Sequence, residues 1–499
     1  MKRYLFFAVF AFTATAIHAQ NGLNTAADAV NYATGDMNGT ARFRAMSGAF
    51  GALGGDLSAI HVNPAGSAVF NYNTGTATLT YKDITNKSSY FGTNTKDNDN
   101  SLELNQIGAV FVFTNSNEDA FMNKFALAFD YENTSNFNNQ IFSAGVNPNN
   151  SIDQYFLSYA NGIPLNVLND YYYDELSYNQ QQAYLGYNAY MFNPVANTPG
   201  NTSYISNVPQ NGNYYQENSI NTSGYNGKIA FNFGAQLKKR FYVGANLNVH
   251  FTDYVKTYDI YEGYNTSGNS GLQSVWFNNE RYTYGGGFSF NVGAIAKVTE
   301  ALRLGLAYES PTWMNLQDEI RQRIAVDCPD CGSGSGLIVT DPGMTFILDD
   351  YTIKSPSKYT GSLAYIFLEN GLISVDYSLK DYSNTKYMSN RFAAINDELS
   401  STLDLAGELR IGAEYRIKNI SLRGGYRYEQ SPYKNGNTMG DLTGFSGGFG
   451  VVFGTSRLDL AYSYFNRKMN VPILPTNFPD SARINSCGNN ITLSYSLDL

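Results

Sequence analysis

The stretch Ile420-Ser421-Leu422-Arg423-Gly424-Gly425-Tyr426-Arg427-Tyr428 decides the fold. Ile420, Leu422, Gly424, Tyr426 and Tyr428 fall on one side, and Ser421, Arg423, Gly425 and Arg427 on the other. Alternation with a period of two gives a strand one apolar and one polar face. The chain ends the same way, with Ile491, Leu493, Tyr495, Leu497 and Leu499 set against Thr492, Ser494, Ser496 and Asp498. A strand that meets lipid outside and water inside needs this pattern, and outer-membrane barrels are built from it.

From Asp404 onward the chain repeats strand, tight turn, strand and long polar loop. The same reading carried backward predicts about fourteen strands, from near Tyr72–Asp83 to near Asn489–Leu499, the third near Phe121–Asn133 and the seventh near Ala301–Pro311. Connections around Ser116, Lys239, Thr299, Asn370, Asn419 and Thr455 are short, and those between them are long, the longest being Thr134 to Ser223. Short periplasmic turns and long outer loops are the outer-membrane arrangement. The expected fold is all-β: an antiparallel transmembrane barrel of about fourteen strands with both chain ends periplasmic. The second strand is apolar on both faces over Gln106 to Phe113, which predicts apolar packing inside the barrel.

Met1 to Ala19 has the layout of a signal peptide, with Lys2 and Arg3 before the apolar Leu5 to Phe12 and a cleavage site at Ile17-His18-Ala19. No later stretch approaches the ~20 apolar residues of a spanning helix. A membrane-spanning chain must then be a barrel. A soluble secreted β-protein would share the composition, but not the polar inner faces recurring over so many strands. The net charge of −9 becomes −11 once Lys2 and Arg3 leave with the leader, which argues against nucleic acid. The 40 tyrosines suit aromatic girdles at the membrane interfaces. Cys328-Pro329-Asp330-Cys331 reads as a loop disulfide rather than a metal site, leaving Cys487 over.

Residues 20–70 do not read as strand. They are small and Gly/Ala-rich, with Gly48, Gly51, Gly54 and Gly55 permitting tight turns, and fit a compact plug in the lumen. An exposed periplasmic arm is the alternative. The organisation expected is a signal peptide at 1–19, an N-terminal arm and hatch at 20–70, and the barrel at 71–499. In the hatch, Asn63-Pro64-Ala65-Gly66 is the candidate gate, because Pro64 fixes its own φ and drives Asn63 out of the helical region. A simple turn before the first strand would read the same way.

Inward faces carry Arg303, Arg410, Arg416, Arg423, Arg427 and Arg457 among several acids. Buried charges need partners, so a lumen charge network is expected, from which an arginine could hold a ligand carboxylate. In the longest loop, Tyr155, Phe156, Leu165 and Leu168 form an apolar set that either captures a greasy ligand or packs on itself. His61 and His250 admit a haem-binding reading. No nucleophile, base and orienting group come together as an enzyme would need.

The run Met46-Ser47-Gly48-Ala49-Phe50, then Asp56-Leu57-Ser58-Ala59, then Asn63-Pro64-Ala65-Gly66 resembles the opening of the FadL/TodX family of outer-membrane transporters for hydrophobic compounds. Leu302 to Pro311, Arg410 to Tyr415 and Leu458 to Tyr464 resemble family strands. The resemblance implies a hatch-plugged barrel in which outer loops capture a hydrophobic ligand of the fatty acid or aromatic hydrocarbon type. The ligand passes to a lumenal pocket and leaves sideways into lipid beside a kinked third strand. It implies passive uptake without a cofactor by an outer-membrane monomer in contact with lipid. The third strand as read here contains neither Gly nor Pro, so the sequence itself carries no kink. A type IX secretion shuttle-like adaptor, holding a protein with its outer loops, shares the barrel class and is the principal alternative. A continuous apolar lumen would favour transport; a sealed lumen would favour the adaptor.

Overall fold

The computed structural model describes residues 24–117, 119–210, 212–265, 270–331, 336–367 and 370–499, so the leader assigned at 1–19 lies outside the described residues. Fourteen antiparallel strands close into a barrel. In chain order they are β1 Thr74–Tyr90, β2 Thr93–Thr114, β3 Met122–Asn136, β4 Tyr214–Leu237, β5 Phe241–Gly263, β6 Ser274–Lys297 and β7 Leu302–Glu309. The circuit continues with β8 Lys358–Phe367, β9 Gly371–Asp381, β10 Leu405–Ile417, β11 Ile420–Glu429, β12 Met439–Phe453, β13 Ser456–Pro472 and β14 Ser481–Asp498. Each pairs with its sequence neighbours, and β14 returns to β1 in a ladder from Thr74↔Asp498 to Ser89↔Arg483. Inward side chains of that seam form a hydroxyl ladder: Thr76 to Ser496 at 3.0 Å, Thr78 to Ser494 at 2.7 Å and Thr80 to Thr492 at 3.1 Å. Among the described residues no helix is long and apolar enough to cross a membrane.

The outward faces define the lipid zone. On β5, Phe241, Val243, Leu247 and Val249 are exposed, and the first outward acid is Asp253. An apolar band of this height takes about ten tilted residues. Most strands run beyond it. β2, β4, β6 and β14 extend seven to ten residues further outward than their apolar alternation, to Thr93, Tyr214, Ser274 and Ser481. Above the lipid an apolar outer face is no longer required, so the alternation fades while the backbone ladder goes on. The seventh strand ends at Glu309, and after Ser310-Pro311-Thr312 the ladder with β6 resumes as Trp313–Asp327.

The longest loop folds into a cap over one mouth of the barrel. Helices α4 Asp153–Ala160, α5 Leu165–Asp170 and α6 Tyr178–Asn188 pack with the outer ends of β5 and β6 and with strand Trp313–Asp327. At the base of the cap the buried Glu262 of β5 accepts from Ser151 Oγ, from the Ile152 backbone at 3.1 Å and from Gln216 Nε2 at 2.5 Å. Burial, opposed by those hydrogen bonds, pushes its carboxyl up to about 7.

The N-terminal segment lies inside the barrel. Helix α1, Ala26–Ala33, begins with a reciprocal cap in which Thr25 Oγ1 accepts from Asp28 N at 3.2 Å and Asp28 Oδ2 accepts from Thr25 N at 3.0 Å. Helices α2, Ala41–Ala45, and α3, Ala59–Val62, and a 3-10 turn at Pro64–Val69 follow. Leu57 and Ile60 pack on Val110, Ala126 and Ala128, which is why β2 is apolar on its inner face. Ala41 N donates to Ser494 Oγ, a hydroxyl of the seam itself, at 2.7 Å. Three wall glycines make room for the segment. A Cβ at Gly234, Gly244 or Gly293 would lie 2.2 Å from Ser67 Oγ, 2.4 Å from Pro64 C or 2.1 Å from Asn63 Oδ1.

Gly244→Val should unseat the segment at a cost of about 1–3 kcal/mol. The readout is faster protease cleavage within residues 41–69, with the barrel still heat-modifiable on gels. The folded-state pKa of Glu262 lies above its ordinary 4.5, so its contribution is complete below about pH 4.5 and lost as pH rises to about 7. Cap stability should fall over that window by about 3 kcal/mol, and Glu262→Gln should flatten the profile. Hydrogen exchange of α4 to α6 between pH 4.5 and 8 measures both.

Candidate functional site

Asn63 is the pivot of the N-terminal segment. Its extended backbone, φ −143°, hands the chain to Pro64 at the first position of the 3-10 turn. Its buried side chain accepts from Ala65 N at 3.2 Å and donates to Gly51 O at 2.7 Å and Ala294 O at 3.0 Å. Gly66 closes the motif, its carbonyl accepting from Gly55 N at 3.1 Å. Asn63-Pro64-Ala65-Gly66 thus rests mainly against β4, β5 and β6, where the wall glycines receive it. Leu57, Ile60, His61 and Asp36 also meet β3.

A buried ionic chain bolts the segment to the opposite wall. Arg42 Nε donates to Glu414 Oε2 at 2.9 Å, and Arg423 bridges Glu414 and Asp459 at 2.7 Å each. Arg457 reaches Asp459 at 2.8 Å and Asp56 at 4.0 Å, while Arg416, half exposed at the rim opposite the cap, holds Glu414 at 2.8 Å. Two residues of the N-terminal segment, Arg42 and Asp56, are therefore held by β10, β11 and β13. A second group sits higher: Glu408 is shared by Arg410 and Arg427, and Arg427 and Arg467 both hold Glu429. Arg303 has no carboxylate partner among the described residues and donates to Leu53 O at 2.9 Å. Pairing is what burial demands, because a lone buried charge costs several kcal/mol.

The wall is not uniform. The β2–β3 ladder stops at Gln106↔Glu132. β3 shifts register between Asn133 and Ser135, breaks at Phe137-Asn138 and continues as Asn139–Asn147, which pairs with β4 alone. Above the break β2 pairs only with β1, and side chains replace the backbone bonds. Asn133 and Asn136 each donate to Glu103 Oε2 at 2.8 Å, and Asn136 also donates to Ser101 Oγ at 3.1 Å. Leu102 and Leu104 stand exposed on the outer side of this gap. The third strand has a break after all, made without Gly or Pro by a polar run from Asn133 to Asn139.

Three cavities surround the N-terminal segment. The outermost, about 410 Å³, lies over Thr25 to Asp28 and is lined by Ile220, Tyr258, Ile320, Met439, Met469 and Ile473, with Lys256 and Arg281 at its rim. A second, about 310 Å³, runs from residues 34–38 to the β3 break and meets Ile84, Phe137, Leu442 and Phe465. A third, about 230 Å³, lies across residues 34–38 from the second and is charged, with Glu132, Lys228, Glu309, Lys358, Lys380 and Glu408 in its lining. Asp36 holds the divider: its carboxylate meets Lys82 Nζ at 3.1 Å and its N–H donates to Thr134 O at 3.1 Å. The lumen is thus neither one continuous apolar pocket nor a solid plug.

Other sequence candidates fall elsewhere. Tyr155, Phe156, Leu165 and Leu168 are all buried in the cap, with Tyr155 and Phe156 against Phe277, so they are its core and present no capture surface. His61 Nε2 is engaged by Asp130 at 2.5 Å and lies 3.4 Å from Glu132, and His250 meets Ser289 Oγ at 2.8 Å. In each ring the contact engages Nε2. Cys328 and Cys331 are joined in a disulfide, and Cys487 is free.

A family model described as outer membrane protein transport protein (OMPP1/FadL/TodX) matches residues 188–477. No curated protein matches the chain in sequence. Among solved structures, a FadL homologue from Pseudomonas aeruginosa is similar with a TM-score of 0.57 at 13% identity, over 93% of this chain and 99% of that one. A deletion mutant of the TodX monoaromatic hydrocarbon channel gives 0.52 at 13% identity, over 92% and 98%. The toluene transporter TodX of Pseudomonas putida gives 0.49 at 15% identity, over 93% and 99%.

Glu414→Gln should leave Arg42 and Arg423 short of a buried counter-charge and cost about 3–5 kcal/mol. Arg416→Gln, at the exposed rim, should cost under about 1 kcal/mol. Thermal unfolding in detergent, followed by loss of heat-modifiable mobility, ranks the two.

Proposed function

The chain belongs to the OMPP1/FadL/TodX family of outer membrane transport proteins, and from that premise we propose that it lets a hydrophobic small molecule diffuse across the outer membrane and leave sideways into lipid. The family's members are non-enzymatic outer-membrane channels for hydrophobic compounds such as aromatic hydrocarbons or fatty acids. The related structures bear names of monoaromatic hydrocarbon and toluene channels, and that ligand class is carried over to this chain as part of the proposal.

In this reading the ligand first enters the apolar outer cavity. It then crosses beneath α1 to the second cavity and exits through the gap beside β3. The observation that carries it is the interrupted β2–β3 ladder facing that cavity, flanked outside by Leu102 and Leu104. An apolar solute gains nothing from an aqueous path, since each CH₂ kept out of water is worth ~0.8 kcal/mol. The residues Asn63 to Gly66 and the Arg42–Glu414 lock act as fixed anchors of a hatch whose movable part is the divider at residues 34–38. The protein works as a monomer, with its girdle and the lips of the gap in contact with lipid.

Ser101→Cys with Asn136→Cys, in a Cys487→Ser background, closes the gap under oxidation. Uptake of labelled toluene or oleate by cells bearing this variant should fall at least tenfold when oxidised and recover with reductant, while binding to the purified barrel persists. Unchanged uptake would remove the lateral exit. Failure to bind either probe, with a co-purifying protein instead, would favour the secretion-adaptor reading.

A further inference from the structure

Three adjacent wall strands break at one level. β7 stops before Ser310-Pro311-Thr312, β8 begins after Ser355-Pro356-Ser357, and β9 gives way at Tyr382 to a 3-10 turn, Tyr382–Asn384. Beyond the breaks the sheet resumes as Trp313–Asp327, Tyr351–Lys354 and Lys386–Tyr387, paired with one another in that order. A proline cannot donate to a ladder, and one in each of two neighbouring strands at the same height is a continuous weak line rather than an isolated bulge. The line is stitched by serine. Phe290 N donates to Ser310 Oγ and Thr312 N to Ser355 Oγ, both at 2.9 Å. It lies at the outer aromatic girdle, where Phe288 stacks on Trp313 and Tyr308 meets Tyr359. The sheet above it is therefore out of the lipid.

The upper sheet is laddered on one side and held on the other by Lys434, whose N–H donates to Thr402 O at 2.9 Å and whose Nζ donates to Ser400 O at 3.2 Å and to Ser401 O at 2.8 Å. Trp313–Asp327 is laddered to the unbroken β6. On the other side, Lys386–Tyr387 and helix α7, Ala393–Thr402, make no ladder with β10, whose pairing to β9 ends at Asp381↔Leu405. That side is closed by a separate apolar cluster in which α1 packs through Ala29 and Val30 on Ile353, Tyr387, Phe392 and Leu399. The cluster shares no residue with the lower core around Phe43, Met46 and Phe50. The outer cavity lies against α1 and the end of α7, and the charged inner cavity lies against the crease.

We propose that the sheet above residues 310–312, 355–357 and 382–385, together with α7, is a flap hinged on that crease and on β6, which swings out with α1 and joins the outer cavity to the inner ones. This is an opening distinct from the gap beside β3, and it rests on the transport reading only for its purpose. Closed, it is held by Arg281 of β6, which donates to Asp28 of α1 at 3.0 Å, by Lys380, which donates to Ala33 O at 2.5 Å, and by the bonds of Lys434 to the end of α7.

The test is pulsed electron paramagnetic resonance across the mouth, with spin labels at Asp397→Cys on α7 and Lys96→Cys on the β1–β2 hairpin, in a Cys487→Ser background. Both label sites are exposed. The expected result is two distance populations, the longer one minor and growing with oleate or toluene. Removing the stitches with Ser310→Ala and Ser355→Ala should raise the longer population about fivefold per lost bond. Retained heat-modifiable mobility shows that these variants still fold. A single distance, unmoved by either probe and by the double variant, overturns the flap whatever uptake does. A flap that moves in a barrel that binds neither probe leaves the flap standing and removes the transport reading.

Discussion

Hydrocarbon offers no hydrogen bonds, so every backbone N–H and C=O within it must find a partner in the protein. That constraint forces the sheet to close, and here closure is made by the pairing of β1 with β14 and sealed on the inside by the Thr/Ser ladder from Thr76 to Thr492. Everything else follows from having a closed wall of fourteen strands. A ring of that circumference encloses more space than its own side chains fill. The N-terminal segment occupies the difference, and the side chains that meet it are small, hydroxylic or charged according to what each patch of the segment presents.

The seating is asymmetric. Toward β4 to β6 it is steric, with glycines receiving Asn63, Pro64 and Ser67 at near backbone contact. Toward β10 to β13 it is ionic, through Arg42, Glu414, Arg423, Asp459 and Arg457. Toward β3 it is mixed, apolar through Leu57 and Ile60 and polar through His61, which Asp130 engages. The wall is also the least regular there, so the strongest fastening faces away from the interrupted ladder.

Much of this was legible in the sequence, and the reason is the lipid. Where a strand faces hydrocarbon, one residue in two must be apolar, and the alternation over Ile420 to Tyr428 and from Ile491 to the end of the chain marked β11 and the inner half of β14. Above the membrane that demand lapses. The outer ends of β2, β4 and β6 therefore went unread, and so did Trp313–Asp327, whose apolar Met314, Leu316, Ile320, Ile324 and Val326 all face inward behind a polar outer face. The hatch was visible through the doubly apolar β2. Its fastening was half visible: the inward arginines were evident, but their partners were set by register across strands far apart in sequence. The break in β3 was missed because an Asn-rich run breaks a ladder through side-chain competition for backbone groups, without the usual marks of Gly or Pro. Tyr155, Phe156, Leu165 and Leu168 were recognised as an apolar set, but helical spacing alone does not tell a capture surface from a core.

The contact between Ala41 and Ser494 bears on how such a molecule comes to exist. Ser494 Oγ also meets Thr78 across the seam, so the same hydroxyl serves the joint between first and last strands and the first turn of α2. One hydroxyl therefore belongs at once to the joint that closes the cylinder and to the segment that fills it. Assembly and filling are coupled through that atom, and a change at Ser494 would be felt by both.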